Sequence, residues 1–421
     1  MNKVESIKST LKATRERRKT QTCKVYTCKI DHSHLTVRKQ EYLNRLFLEA
    51  KWLRNHFVGL ENVFEADYRC SRVFVLNKDK EHESREIRTL SSQMKQGILD
   101  QVKNDISGLA ASKEKGRKVG KLKFKGRVDS INLKQFDVTY KVRKNHIVLQ
   151  GFKGQFRIRG IKQIPDSAEF ANAKLIRKPS GYYLAITCYL PKEVLPRTNK
   201  QIGFDFGIET HITNSDGKKD KWSFTETKRH KKIQRKVNKT YKPEKKSSKN
   251  REYRKHLCRL EHEKLFNRKK DAINKFISAV NKDYDFVAVQ DENIAEWKSS
   301  RMKGWGRIVH RSIMGGIISG IKKLPQTTVV DRWEPTTQEC RICGSKTKHT
   351  LDKRLFVCSN CGHTEDRDIH SAKVVLKKAI TICMERTNIT PVEDFASTGL
   401  SATAGQQAKP MKQEAHGFSR R

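Results

Sequence analysis

The sequence predicts an α+β protein of several domains, in which an antiparallel β-barrel or sandwich precedes an α/β domain. Its 421 residues are enough for two to four domains. Between residues 120 and 190, short alternating segments bounded by Gly or Asn predict antiparallel strands. After residue 200, apolar strands alternate with helical segments, which predicts an α/β sheet. Two Cys-x2-Cys pairs interrupt this second part and predict a metal-binding module.

The N-terminal part is predicted to combine a basic segment, one strand and two helices. Residues 1–20 carry seven basic and two acidic side chains, which predicts a mobile or RNA-contacting helix. The segment 23–30 is a strand by its alternation and is expected to join the later antiparallel strands. Apolar residues recur at helical spacing over 37–58 and near 88–109, so these helices are expected as an insertion between strands.

The charge of the chain predicts a polyanionic partner. Lys and Arg number 90 against 46 Asp and Glu, a formal net charge of +44. Nucleic acid is the commonest partner for such a chain, and an anionic membrane surface is the alternative. Residues 228–276 hold 20 basic and 5 acidic residues, a net charge of +15, and are predicted to form two long basic helices. The sequence contains no run of eighteen apolar residues, so it predicts no membrane span. The basic N-terminus lacks the apolar stretch that is typical of a secretory signal.

The α/β part is predicted to begin with the strand "FDFGIETHIT" at 204–213. Apolar residues there alternate with Asp205, Gly207 and Glu209, so Asp205 is expected to point away from the core, with glycines that leave room for a ligand. The remaining predicted elements are a buried strand at 284–294, a helix over "RIVHRSIMGGIISGIKKL", a strand over "TTVVDRW" and a helix that begins near Arg367.

Ten cysteines are present, and four of them form a recognisable pattern. Two Cys-x2-Cys pairs separated by fourteen residues supply four thiolates for a tetrahedral zinc site: Cys340, Cys343, Cys358 and Cys361. With four protein ligands the site is expected to be structural; four unligated thiols are the alternative. The other six cysteines are scattered, which favours a reducing compartment over a disulfide framework. Basic residues around the pairs indicate nucleic-acid contact or a solvated face: Arg341, Lys346, Lys348, Lys353 and Arg354.

Acidic residues recur where strands end and where the last helix begins. They are Asp205, the group Asp291, Glu292 and Glu296, and the pair Asp366 and Asp368. Each has an ordinary explanation, and helix capping is the preferred one for Asp366. Together, in so basic a chain, they favour a nuclease that holds two Mg²⁺ or Mn²⁺ ions against phosphate. His211, His310 and His370 could assist, but in a chain with fourteen histidines surface or structural roles are the preferred interpretation.

The order "GFDFGIE", "QDENI" and "CRICG…CSNCGHTEDRDIHSA" resembles the split RuvC-like nuclease of the TnpB family, the RNA-guided nucleases of insertion sequences, which are related to compact type V CRISPR effectors. The resemblance is strongest over 200–380. It implies an RNase H-like (RuvC) α/β nuclease domain with an inserted zinc ribbon, and an OB-like wedge barrel with a helical insertion. The implied bounds are 1–20 for a basic extension, 21–36 and 116–195 for the wedge, 37–115 for the recognition insertion, 198–333 and 366–386 for the nuclease domain, 334–365 for the ribbon and 387–421 for a disordered tail.

The resemblance also implies the site residues. Its three acidic positions correspond to Asp205, Glu292 and Asp368, with Asp291 as the alternative to Glu292. They imply a metal-dependent endodeoxyribonuclease with Mg²⁺ or Mn²⁺ at its site, beside a structural Zn²⁺. Where the family has Asn-Ala-Ala, this chain has His370, Ser371 and Ala372.

The implied function is cleavage of double-stranded DNA chosen by pairing with a transposon-derived guide RNA, while basic side chains hold the backbones. We expect one protein per guide RNA, no membrane association, and a cytoplasmic, nucleoid-associated location in a prokaryote. Two alternatives stay open. One is a guided DNA-binding protein that no longer cuts, which the His370-Ser371 departure allows. The other is a transposase or zinc-ribbon transcription factor that uses no guide RNA.

Overall fold

The computed structural model describes residues 3–77, 81–192, 196–241, 247–299, 304–348 and 353–387. The chain divides into two compact units, Met1–Val194 and Leu195–Arg421. The tail predicted to be disordered, 387–421, lies outside the described residues except for its first residue.

The first unit contains the predicted early strand and helices. Helix α1 (Lys3–Lys19) leads into strand β1 (Gln21–Ile30), and helix α2 (Val37–Val58) has the predicted bounds. A hairpin of β2 (Arg72–Leu76) and β3 (His82–Glu86) follows, which sequence periodicity missed. Helix α3 (Ser92–Glu114) begins later than predicted, because the Ser91 side chain accepts a hydrogen bond from the Met94 amide and caps it.

Six further strands complete the sheet of the first unit. They are β4 (Ser130–Leu133), β5 (Tyr140–Arg143), β6 (His146–Leu149), β7 (Phe156–Arg159), β8 (Glu169–Lys178) and β9 (Gly181–Pro191). The sheet has the order β4-β8-β9-β1-β7-β6-β5, with antiparallel neighbours, and nearly closes into a barrel. Strand β1 lies between β9 and β7, so the early strand joins the later ones as predicted. Buried residues of α2 and α3 share one apolar core with this sheet.

The second unit is built on a five-stranded mixed sheet. The strands of this sheet are β10 (Gln201–Asp205), β11 (Ile212–Asn214), β12 (Lys219–Asp220), β13 (Phe286–Gln290) and β14 (Thr327–Val330). The helices of the second unit are α4 (Lys228–Lys239), α5 (Lys249–Asp283), α6 (Ile294–Ser299), α7 (Trp305–Arg311), α8 (Met314–Ile321) and α9 (Arg367–Thr387). The order is β12-β11-β10-β13-β14, and β10, β13 and β14 are parallel. A short hairpin, β15 (Leu355–Val357) and β16 (Thr364–Asp366), precedes α9. The predicted α/β character of this part is therefore confirmed.

The strand predicted over 204–213 is shorter than expected, and the purpose assigned to its glycines is wrong. Strand β10 ends at Asp205, and α9 covers the face on which Gly203 lies. A Cβ at Gly203 would overlap the Ala372 carbonyl oxygen, so glycine is needed for the close approach of α9. A Cβ at Gly207 would lie 2.9 Å from the Thr210 carbonyl oxygen in the following loop. Both glycines are therefore explained by close contacts with the backbone of the same chain, and not by a need for space around a ligand.

The helices of the second unit differ from prediction in one place. The two basic helices are confirmed as α4 and α5, and α9 begins at Arg367 as predicted. The single helix predicted over "RIVHRSIMGGIISGIKKL" is two helices, α7 and α8, because Ser312 between them is extended and its hydroxyl bonds the Val309 carbonyl. Across the described parts of both units, every helix falls short of the length and apolar character needed to cross a bilayer.

Candidate active site

The three acids chosen from the sequence lie at one edge of the five-stranded sheet. Asp205 ends β10, and Glu292 follows the end of β13, the parallel neighbour of β10, by two residues. Asp368 is the second residue of α9, the helix that packs on β10 at Gly203. Carboxyl ends of adjacent parallel strands meet at the same edge, where ligands bind in open α/β sheets. The fold thus brings together side chains that are separated by 87 and 76 residues in the sequence.

Asp205 lies in an unfavourable environment for a negative charge. The pKa of its carboxyl is raised to about 7, mainly by burial and in addition by the charges of Asp368 and Glu292, although a hydrogen bond from Ser371 lowers it. Burial also raises the pKa of Glu292. A divalent cation would relieve this repulsion, and carboxylate oxygens are the ligands that Mg²⁺ and Mn²⁺ prefer. The donor set therefore fits such a cation. The three side chains do not form a cluster of ligand atoms within 4.8 Å of one another among the described residues.

The alternative acid, Asp291, has a different environment from Glu292. Its carboxylate forms ion pairs with Lys322 and with Arg332, the latter at 3.1 Å. The hydrogen bond from Lys322 is the main cause of a lowered pKa at Asp291. Glu296 is exposed and accepts a hydrogen bond from Asn293. Of these acids after β13, Glu292 is the one whose charge contributes to the raised pKa of Asp205.

Asp366 and Asp368 have separate roles at the start of α9. Asp366 Oδ1 accepts hydrogen bonds from the backbone amides of Asp368 and Ile369, at 3.1 and 3.2 Å. Asp366 thus caps the helix, and the capping prediction is confirmed. The Asp368 carboxylate lies within 3.9 Å of three cationic side chains, Lys219, Arg354 and Arg367.

A chain of hydrogen bonds that sequence reasoning missed supports Asp205. Ser371 Oγ donates to Asp205 Oδ1 at 2.9 Å and lies 3.4 Å from Thr336 Oγ1. Thr336 donates to Gln290 Oε1 at 2.9 Å, and Gln290 Nε2 donates to backbone carbonyls of residues 331, 332 and 334. Ser371, Thr336 and Gln290 are buried. A buried polar side chain in an otherwise apolar strand or helix face was the available signal, because such a group needs a partner.

The three histidines selected from the sequence have structural or surface positions. His370 is buried, its ring stacks on Phe356 at 3.7 Å, and its Nε2 lies 2.9 Å from the Glu339 carbonyl oxygen. His211 is buried and accepts a hydrogen bond from the Trp222 amide. His310 is exposed. Of the two residues that differ from the family pattern, His370 contacts Phe356 and Glu339 of the cysteine module (residues 334–366), and Ser371 contacts Asp205.

The four-cysteine cluster, made of Cys340, Cys343, Cys358 and Cys361, has the geometry of a zinc site. The sulfurs of Cys340 and Cys361 lie 3.7 Å apart, those of Cys343 and Cys358 lie 3.6 Å apart, and all four lie within 4.8 Å of one another. A tetrahedron with Zn–S bonds of about 2.3 Å places its sulfurs about 3.8 Å apart. The cluster is therefore compatible with zinc and leaves no position for a catalytic water. The ten cysteines are free of disulfide bonds in the structure.

Two of the five basic residues around this cluster pair with acids. Arg341 Nε lies 3.0 Å from Glu365 Oε2, and Arg354 pairs with Glu209 and lies near Asp368. Lys346, Lys348 and Lys353 are exposed. Arg341 and Arg354 therefore have acidic partners within the protein, and Arg354 remains exposed.

Comparisons with known proteins cover both halves of this site. A family model described as "Probable transposase" matches residues 185–301, which include Asp205 and Glu292. A second, described as "Cas12f1-like, TNB domain", matches residues 324–375, which include the four cysteines and Asp368. A Streptomyces pristinaespiralis protein named "Putative RNA-guided DNA endonuclease" is 24% identical over 259 residues, 58% of this chain and 62% of that protein.

A solved structure is also similar. It is a "Cryo-EM structure of the Cas12f1-sgRNA-target DNA complex", at 12% identity and a TM-score of 0.48, covering 81% of this chain and 83% of that one. A likeness of this strength carries no conclusion about partners.

Proposed function

The chain belongs to the TnpB-like family, and from that premise we propose that it is an RNA-guided DNA endonuclease. The proposed reaction is phosphodiester hydrolysis at an RuvC-like, two-metal site, directed by a transposon-derived guide RNA. The observation that carries the proposal is the convergence of Asp205, Glu292 and Asp368 at the carboxyl edge of the parallel strands. Asp291 is then a residue that pairs with cations, not a member of the catalytic set.

The chemistry follows from the charges at that edge. Asp205, Glu292 and Asp368 would hold Mg²⁺ or Mn²⁺, which supply Lewis acidity and a more acidic bound water. Ser371 fixes the Asp205 carboxylate through its hydrogen bond. Lys219, Arg354 and Arg367 surround Asp368 and carry the positive charge that an approaching phosphodiester requires. In this proposal the four-cysteine cluster holds a structural zinc.

The partners in this proposal are guide RNA and target double-stranded DNA. The first unit supplies the wedge barrel and recognition helices, within the bounds that the resemblance implies. Helix α4 is the strongest candidate for a backbone contact, since seven of its twelve residues are Lys or Arg and all seven are exposed. One chain per guide RNA and a place beside the nucleoid are parts of the same proposal.

We expect the basic face of α4 to set the salt dependence of RNA binding. Replacing Lys231, Lys232, Arg235 and Lys236 by Gln should lower the slope of log K against log salt by up to about 2.8, because each lost phosphate contact on a single strand contributes about 0.7. Lys282→Gln, at an exposed lysine near the end of α5, should change the slope by less than about 0.7. Filter binding of guide RNA between about 50 and 300 mM salt measures both. An unchanged slope in the quadruple variant would place the RNA elsewhere.

A second expectation separates the two adjacent acids after β13. Glu292→Gln should slow cleavage more than about 100-fold, which exceeds the effect of losing an outer-shell partner of a metal ligand. Asp291→Asn should slow it less than about 10-fold, because Asp291 is already paired with Lys322 and Arg332. Single-turnover cleavage of matched DNA gives both rates. The opposite ranking would assign the metal-binding role to Asp291.

The whole proposal is tested by purifying the protein with its co-purifying RNA and sequencing that RNA. The complex is then given Mg²⁺ and DNA that matches the guide. Guide-dependent cuts support the proposal. Tight guided binding without nicking would favour the cleavage-inactive binding protein. A protein that carries no RNA and binds duplex DNA directly would favour the transposase or transcription factor.

A further inference from the structure

Helices α4 and α5 carry a group of metal-ligating side chains far in sequence from the acids and from the four-cysteine cluster. Cys258 and His262 are four residues apart on α5, so they lie on the same face of that helix. His230, the third residue of α4, lies against them. His230 is buried, Cys258 is half-buried and His262 is exposed, so the group reaches from the helix interface to solvent.

The distances within this group match those of a metal centre. The ligand atoms of His230, Cys258 and His262 all lie within 4.8 Å of one another. Cys258 Sγ lies 3.6 Å from His230 Nε2. A zinc ion with a Zn–S bond of about 2.3 Å and a Zn–N bond of about 2.0–2.1 Å places sulfur and nitrogen about 3.6 Å apart in a tetrahedron.

The surroundings of these three residues favour a metal over simple packing. The two imidazole rings meet edge to face at 4.2 Å, a contact that also occurs without any metal. Yet His230 is the one buried residue of α4, and along α5 only Glu261 and Val280 are buried. The helix pair therefore has little apolar core, while α4 carries seven cationic side chains. A metal ion would join the helices where hydrophobic burial does not.

We propose that His230, Cys258 and His262 form a second metal site that takes Zn²⁺ or a chemically similar transition-metal ion. One thiolate and two imidazoles select such ions over Mg²⁺ and Ca²⁺, which prefer oxygen ligands. The Cys258 thiol loses its proton as the metal–sulfur bond forms. A cavity of about 390 Å³ adjoins His230 and is also lined by Glu226, Thr227 and Glu261. In this proposal water is the fourth ligand.

This site would join α4 to α5 and fix the orientation of the basic face of α4. It requires neither nuclease activity nor guide RNA, so it can be tested on its own. The four-cysteine cluster provides an internal reference, because none of its four sulfurs belongs to α4 or α5.

The test is a metal titration of the full-length protein purified under reducing conditions. The four-cysteine cluster is first filled with one equivalent of Zn²⁺, and Co²⁺ is then added while the visible absorption is recorded. We expect about one further equivalent to bind, with thiolate-to-cobalt absorption, giving about two metal ions per chain by mass spectrometry. Cys258→Ser and His262→Gln should remove the additional ion and its absorption and leave the first ion in place.

The matched control is His256→Ala, since His256 is an exposed histidine on the same helix, two residues from Cys258. This variant should bind both ions. His262 is exposed, so His262→Gln should keep the fold, and circular dichroism together with retention of the first zinc checks this. The proposal fails if the wild-type protein binds one ion only, or if Cys258→Ser and His262→Gln bind as much metal as His256→Ala.

Discussion

Asp205→Asn is expected to slow DNA cleavage more than about 100-fold while guide RNA and target DNA remain bound. The carboxylate ends β10, and the charges of both Glu292 and Asp368 act on it. Asparagine keeps the shape and loses the charge that holds a divalent cation, and loss of a direct ligand exceeds the effect of losing its outer-shell partner. The measurement is single-turnover cleavage at saturating Mg²⁺, with target binding measured on the same preparation.

The same substitution should raise the melting temperature in magnesium-free buffer. Burial, then the two neighbouring acids, raise the pKa of Asp205 to about 7 from 3.8. Ionising Asp205 is therefore less favourable in the folded chain, and stability is lost as the pH rises from about 4 through about 7. Asparagine carries no charge, so its gain should be larger at about pH 8 than at about pH 5. Each kcal/mol recovered corresponds to about 2–4 °C for a unit of this size.

Asp291→Asn is the matched control for both measurements. Its carboxylate is paired with Lys322 and Arg332, and its pKa is lowered by the Lys322 hydrogen bond. That variant should lose stability at neutral pH and slow cleavage less than about 10-fold. If Asp205→Asn cleaves at the wild-type rate, the acid cluster is not the nuclease site. If it melts lower than the wild type at about pH 8, burial and the neighbouring acids do not raise the pKa of Asp205 in the folded chain.

The elements of this chain that sequence predicted well are those with a strong periodic signal. Helix α2 has its predicted bounds because its apolar residues recur at helical spacing and Thr36 caps it. The split between α7 and α8 depends on one extended residue, Ser312, in a run whose composition is helical throughout. The glycines in this run have a separate role, because a Cβ at Gly316 or Gly320 would meet Ile273 or Ile277 of α5.

The site divides in the same way. Strand ends and the start of the last helix marked the acidic groups that contain Asp205, Glu292 and Asp368, and the family resemblance selected these three residues from the groups. The role of Gly203 could not be predicted, since it depends on α9, a helix that begins more than 160 residues later. The Ser371 hydrogen bond to Asp205 also joins residues 166 positions apart. Long-range packing of this kind leaves no periodic trace in the sequence.

Cys358→Ser is expected to abolish binding of zinc at the four-cysteine cluster and to reduce cleavage more than about 100-fold. Cys340, Phe356 and Cys358 form the one small buried apolar cluster of the cysteine module, residues 334–366, among the residues that the structure describes. Structural zinc contributes about 10–16 kcal/mol to the folding of comparable small modules, so the hairpin should unfold without it. Metal analysis, limited proteolysis between residues 334 and 366, and cleavage of matched DNA measure the three consequences. Cys23→Ser, at an exposed cysteine of β1, should change none of them.

The loss of cleavage follows from the way α9 is held. The His370 ring stacks on Phe356, and its Nε2 lies 2.9 Å from the Glu339 carbonyl oxygen. Through these contacts the cysteine module holds the first turn of α9, which carries Asp368 and Ser371. Unfolding the module removes both contacts and frees the turn that orients Asp205. Glu292→Gln should lose cleavage while its zinc content and protease resistance stay at the wild-type level. This comparison separates the loss of one metal-binding carboxylate from the displacement of Asp205 and Asp368. A zinc-free Cys358→Ser protein that cleaves at the wild-type rate would show that α9 is positioned by the sheet alone.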